Sequence, residues 1–167
     1  MDAEPLLAEI ARRLGEVRLE AVMIGNAAAA LRGAPVTTVD FDFLFRKTPR
    51  NLTKLKALAT ALRATILRPY YPASDLYRIV RDDDGMQVDF MTTVHGVLSF
   101  EGLRDRAESI EIGNATVLVA SLVDIIKSKR AAGRPRDLAV LDMLEIALEE
   151  ITQPPRPARR PRRRKRS

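Results

Sequence analysis

One seven-residue run constrains this chain more than any other stretch. Residues Val39 to Phe45 read Val-Asp-Phe-Asp-Phe-Leu-Phe, which puts Val39, Phe41 and Phe43 on one face of a strand and Asp40 and Asp42 on the other. Aspartate is disfavoured in strands, and two like charges on one face repel. A strand that keeps both needs something cationic beside it. A divalent metal compensates best, and hard oxygen donors favour magnesium or manganese over zinc. Two plainer readings stand beside this one: a solvent-facing pair on an edge strand, or a helix start with Thr37 and Asp40 as its capping box. The phenylalanine alternation speaks against the helix.

A third carboxylate lies in similar company, Asp89 within Met86-Gln87-Val88-Asp89-Phe90-Met91. Alone it is an ordinary wet-face aspartate. Beside Asp40 and Asp42 it becomes a third ligand, and three carboxylates can hold two magnesium ions roughly 3.5–4 Å apart, the arrangement that clamps both oxygens of a phosphoryl transfer.

The rest of the chain predicts an α/β fold. Leu6, Leu7, Ile10, Leu14 and Val17 recur at helical spacing, and Ala21 to Ile24 reads as a short buried strand. Gly25-Asn26 breaks it, and Ala27 to Arg32 reads as a helix ending at Gly33. Thr48 caps a helix with Pro49 at its first position and an apolar stripe of Leu52, Leu55, Leu58, Ala59 and Leu62. Strands are expected at Thr65 to Leu67, Leu76 to Arg81 and Met86 to Met91, with Asp82 to Gly85 as a hairpin turn, and near Ser109 to Ile112 and Ala115 to Val119 around Gly113-Asn114. Ser121 with Asp124 opens a helix that stops at Gly133, and Pro135 opens the last, whose stripe is Leu138, Leu141, Leu144, Leu148 and Ile151. The expected architecture is a mixed, mostly antiparallel palm-like sheet with flanking helices and a C-terminal helical pair.

Charge divides the chain in two. Residues Gln153 to Ser167 hold eight basic side chains (Arg156, Arg159, Arg160, Arg162, Arg163, Arg164, Lys165, Arg166) and no acid; of the 28 basic residues that leaves 20 against 22 acidic ones, a formal charge of −2 for residues 1–152. The expected division is a domain over 1–152 and a basic, Pro/Arg-rich disordered tail over 153–167. Such a tail suits RNA by counterion release, or a solubilising or membrane-surface role. No apolar run reaches bilayer length, no secretion signal opens the chain, and the absence of cysteine makes the cytoplasm the expected location.

Gly25-Asn26 joins a strand to a helix N-terminus, where free N–H groups favour phosphate; many such turns bind nothing. Lys129, Arg134 and Arg136 are candidates for neutralising a triphosphate, or are solvated residues of a helix-helix turn, where Asp137 complements the helix dipole. His95, the only histidine, reads as structural or superficial.

In order, Ile24-Gly25-Asn26-Ala27, Gly33-Ala34-Pro35, Thr38-Val39-Asp40-Phe41-Asp42 and Val88-Asp89-Phe90 resemble the polymerase-β-like nucleotidyltransferase superfamily. Lys129-Arg130-Ala131-Ala132-Gly133-Arg134-Pro135-Arg136-Asp137-Leu138 is similar to the closing motif of bacterial minimal nucleotidyltransferases related to the abortive-infection (AbiEii-type) toxins. The resemblance spans roughly residues 20 to 150. It implies transfer of a nucleoside monophosphate from a nucleoside triphosphate to an acceptor hydroxyl on tRNA, a protein or a small molecule, with a cognate antitoxin as a possible partner. Carried over, Asp40 and Asp42 hold both magnesium ions, and Asp89 completes the site and helps deprotonate the acceptor. Gly25, Asn26, Thr38, Lys129, Arg134 and Arg136 bind the nucleotide, with Lys129 preferred over Lys127. Asn26 departs from the family's usual Gly or Ser. Two rivals are an inactive nucleotidyltransferase-like scaffold that binds RNA through its tail, and a phosphohydrolase using Asp40 and Asp42. The latter wants Thr or Val soon after the second aspartate, where this chain continues Phe43-Leu44-Phe45.

Overall fold

The structure, a computed structural model, describes residues 3–67 and 75–153. Among these the order is α1 (Ala3–Val17), β1 (Ala21–Ile24), α2 (Gly25–Leu31), β2 (Phe41–Phe45), α3 (Pro49–Ala61), β3 (Thr65–Leu67), β4 (Leu76–Arg81), β5 (Met86–Met91), α4 (Phe100–Arg106), β6 (Glu108–Ile112), β7 (Ala115–Val119), α5 (Leu122–Ala132) and α6 (Pro135–Thr152). The seven strands form one sheet in the order β3-β4-β5-β2-β1-β7-β6. β2–β5 and β1–β7 are parallel and the other four pairings antiparallel, so the sheet is mixed and mostly antiparallel, as the sequence predicts.

The element ends follow from local chemistry. Thr48 Oγ1 accepts from the Asn51 amide at 3.1 Å and Pro49 follows it. Ser121 Oγ accepts from the Asp124 amide at 3.1 Å and donates to Asp124 Oδ2 at 2.7 Å. Gly133 closes α5 in the left-handed conformation, φ 62°, which a residue without Cβ adopts at no steric cost.

Four differences from the sequence reading matter. β2 begins at Phe41, so Asp40 precedes the strand and Val39 is exposed rather than on the buried face; Thr38 Oγ1 accepts from the Asp40 amide at 3.1 Å and turns the chain there. α2 begins at Gly25 itself, and α4 is an extra helix, capped by Ser99 Oγ on the Gly102 amide. The stripe of α6 is buried at Leu144 and partly at Leu141 and Leu148, while Leu138 and Ile151 stay exposed.

The centre of the sheet is aromatic. Phe43 stacks on Phe90 with centroids 5.2 Å apart, and Phe45 meets Phe90 and Tyr77 edge-on at 5.9 Å each. These rings pin the register of β2 against β5, because a one-residue slip would turn every buried phenylalanine toward the opposite face. The same register sets Asp42 directly opposite Asp89.

Candidate active site

Two strand pairings assemble the site. In the parallel β2–β5 ladder Asp42 faces Asp89, and in the antiparallel β1–β2 ladder Ile24, the last residue of β1, faces Asp42. β1 therefore ends beside the first carboxylate of β2, and the turn into α2 lies against it. Gly25 has φ 72°, and a Cβ there would stand 2.6 Å from Asp42 Oδ2. Both the backbone conformation and the lack of space demand glycine here.

This point opens into a cleft of about 460 Å³. Its lining gathers all the predicted site residues of the described chain: Gly25, Asn26, Thr38, Asp40, Asp42, Asp89, Lys129, Arg134 and Arg136. Lys127 is exposed outside it, whereas Lys129 is buried, as their two-residue separation on α5 requires. His95 is exposed on the rim of the cleft. The basic residues Arg159, Arg160, Arg162, Arg163, Arg164, Lys165 and Arg166 lie outside the described residues.

One wall is anionic. The Asp42 carboxylate makes no hydrogen bond or ion pair among the described residues. Burial, then the neighbouring carboxylates of Asp89 and Asp40, push its acid up to about 6, against the pull of Lys129 and Arg136. Asp89 is buried and engaged: Arg78, opposite it in the β4–β5 ladder, donates from Nε to Oδ1 and from Nη2 to Oδ2, both at 2.8 Å. The facing wall is a basic turn. Asp137, on the first turn of α6, accepts from Arg134 Nε at 2.6 Å and from Lys129 Nζ at 3.4 Å. Burial pushes the Asp137 acid up, but the hydrogen bond from Arg134 and the charges of Arg134 and Lys129 outweigh it and hold the group below the usual carboxylate range. Arg130 and Glu145 also tie α5 to α6.

The donor set fits a hard divalent cation. Its acidic side chains offer carboxylate oxygens, that of Asp42 has no ion-pair partner among the described residues, and Asn26 Oδ1 is buried in the same cleft without a hydrogen-bond partner; an orphaned acceptor of this kind is rare in folded proteins. Among the described residues no three His, Cys, Asp or Glu side chains converge, as they stand, on one point that could hold an ion.

The model of a family described as nucleotidyl transferases of unknown function (DUF2204) matches residues 4–154. This chain is a nucleotidyltransferase of that family. No curated protein matches it. Solved structures share its fold: an antigenic nucleotidyltransferase-like protein from Paracoccidioides brasiliensis, with a TM-score of 0.59 at 16% identity over 93% of this chain and 79% of that one. ANT(2")-Ia, solved in complex with adenylyl-2"-tobramycin, gives 0.62 at 15% identity over 90% of each chain. A nucleotidyltransferase from Thermotoga maritima gives 0.55 at 18% identity over 87% and 92%. At these identities the likeness is one of fold.

Two residues of the nucleotidyltransferase cleft escape a reading of the sequence by motif. Arg78 carried a usable signal: counting outward from the Asp82 to Gly85 turn pairs Arg81 with Met86 and therefore Arg78 with Asp89. Asp137 is legible as a helix-start acid, but that it holds Lys129 and Arg134 depends on how α5 and α6 pack.

Proposed function

We propose that this nucleotidyltransferase moves a nucleoside monophosphate from a nucleoside triphosphate to an acceptor hydroxyl, with magnesium, or manganese in its place, held by Asp40, Asp42 and Asp89. The observation that carries the reading is the in-register pairing of Asp42 with Asp89, with Gly25 packed too closely on Asp42 to carry a side chain. The bound ions would supply charge neutralisation at the α-phosphate and a lowered pKa for the acceptor hydroxyl. The protein's own residues do the rest. Asp40 and Asp42 fix the metal position, and Asp89 takes part in removing the acceptor proton. The acceptor oxygen then bonds to the α-phosphorus while the bond from that phosphorus to the β-phosphate bridging oxygen breaks, and pyrophosphate leaves in line. Asn26, the first amides of α2 and Thr38, which line the cleft together, bind the triphosphate. Lys129, Arg134 and Arg136 balance its charge, the first two held in place by Asp137.

The acceptor is tRNA or a protein in this reading, and the chain acts in the cytoplasm as the toxin of an abortive-infection-type pair. In this reading residues 153–167 serve the domain over 1–152 as a recruiting arm, and their eight cationic side chains favour a polyanionic acceptor, tRNA foremost. The test is incubation with magnesium and α-labelled triphosphates, with and without total RNA, for the full chain and for one ending at Gln153. The reading expects label on the acceptor with pyrophosphate released, and a weaker, less salt-dependent yield on RNA without the arm. Absence of turnover on any acceptor would favour an inactive RNA-binding scaffold, and release of inorganic phosphate alone a hydrolase.

A further inference from the structure

The cleft holds a cation of its own. Arg78 sits on β4 directly opposite Asp89, and its fork takes both carboxylate oxygens at 2.8 Å. The Asp89 side chain is 12% exposed and that of Arg78 38%, so the pair lies at the edge of the cleft rather than beneath it. Arg78 is thus the cation that the sheet itself brings to the carboxylate wall, with Asp89 as its anchor.

That position conflicts with a metal. A carboxylate has room for more than two contacts, but a dication bound directly to Asp89 would stand a few ångströms from a guanidinium in a partly buried cleft, where charges are poorly screened. One of the two must yield. We propose that Arg78 is the resident counter-cation of the carboxylate wall, that it competes with the divalent metal for Asp89, and that metal loading releases its guanidinium into the cleft. The inference rests on reading Asp40, Asp42 and Asp89 as the metal site. It makes Arg78 a positioning residue: in the metal-free protein it keeps Asp89 paired and buried, and it sets the threshold of metal concentration at which the site assembles.

The experiment measures Mn²⁺ binding to the full chain by the paramagnetic resonance signal of the free ion, and thermal unfolding in EDTA and in Mg²⁺. It compares the wild type with Arg78→Gln, Arg78→Lys and Asp42→Asn. Arg78→Gln should bind Mn²⁺ about tenfold tighter than wild type, melt lower in EDTA, and gain a larger melting shift from Mg²⁺. Arg78→Lys, which keeps the charge and loses the fork, should lie between. Binding by Arg78→Gln equal to or weaker than wild type, while Asp42→Asn loses the ion, overturns the proposal, since Arg78 would then support the metal rather than compete with it. If Arg78→Gln does not fold, Arg78→Lys decides by the same criterion. Wild type that binds no Mn²⁺, or Asp42→Asn that binds like wild type, overturns the metal site and this proposal with it, a pattern distinct from failure at Arg78 alone.

Discussion

The two walls of the cleft treat their aspartates in opposite ways. On the sheet wall Asp42 is pushed up to about 6 by burial and by Asp89 and Asp40, with no hydrogen bond among the described residues to relieve it. On the helical wall Asp137 is buried too but satisfied twice, by Arg134 and Lys129, and its acid is held below the ordinary value in spite of burial. Lys129 acts on both groups. The difference teaches which charge is scaffold and which waits for a ligand: a satisfied buried carboxylate holds other groups in place, and an unsatisfied one costs stability until something binds it.

Substitution should break this contrast most visibly in activity. Asp42→Asn removes a charge the apo protein is better without, so transfer should fall by roughly 1,000-fold or more while the melting temperature in EDTA stays level or rises. A transfer assay paired with circular dichroism melts checks it, and wild-type turnover would end the assignment. Next in size, Lys129→Ala should lower kcat/KM by about 100-fold, as loss of a preorganised cation does, and Lys127→Ala by less than about twofold. Equal small losses would reduce the basic wall to a solvated turn.

Asp137→Ala should behave unlike Asp42→Asn. It leaves Lys129 buried without its partner and should cost about 2–3 kcal/mol of stability, below the full value for a buried pair because the Arg134 side chain is 56% exposed; urea unfolding measures it. The smallest effect is a pH slope. Because Asp42 has a higher pKa in the folded protein than in the unfolded chain, the native state binds more protons between about pH 4 and 6. Stability in EDTA should therefore fall as pH rises through this window, by on the order of 1–2 kcal/mol from this group. Asp42→Asn should remove that part of the slope, and saturating Mg²⁺ should reverse it.

Most of the strands were legible because their signals are local. The bounds of β3, β4 and β5 follow from alternation and from the Asp82 to Gly85 turn, and the starts of α3 and α5 from Thr48 and Ser121. α4 was not, since seven residues with Gly102 inside carry too little periodicity, and its only strong cue is the Ser99 cap. Asp40 was misread as a strand residue because alternation cannot show where hydrogen bonding begins. The residues of the carboxylate wall stand out by being acids among phenylalanines. Their neighbours do not: that Asp42 faces Asp89 depends on a parallel pairing between strands separated by α3, β3 and β4, a long-range choice that short motifs do not encode.

The most direct test of the carboxylate wall as a metal centre is anomalous diffraction from crystals of the wild type grown with Mn²⁺ and a non-hydrolysable nucleoside triphosphate. The account predicts anomalous density within about 2.2 Å of carboxylate oxygens of both Asp40 and Asp42, with the triphosphate running toward Gly25, Asn26 and Lys129 and the Arg78 guanidinium moved off Asp89. Nucleotide bound in the cleft with no anomalous density at Asp40 and Asp42, or density only at other carboxylates, would contradict it.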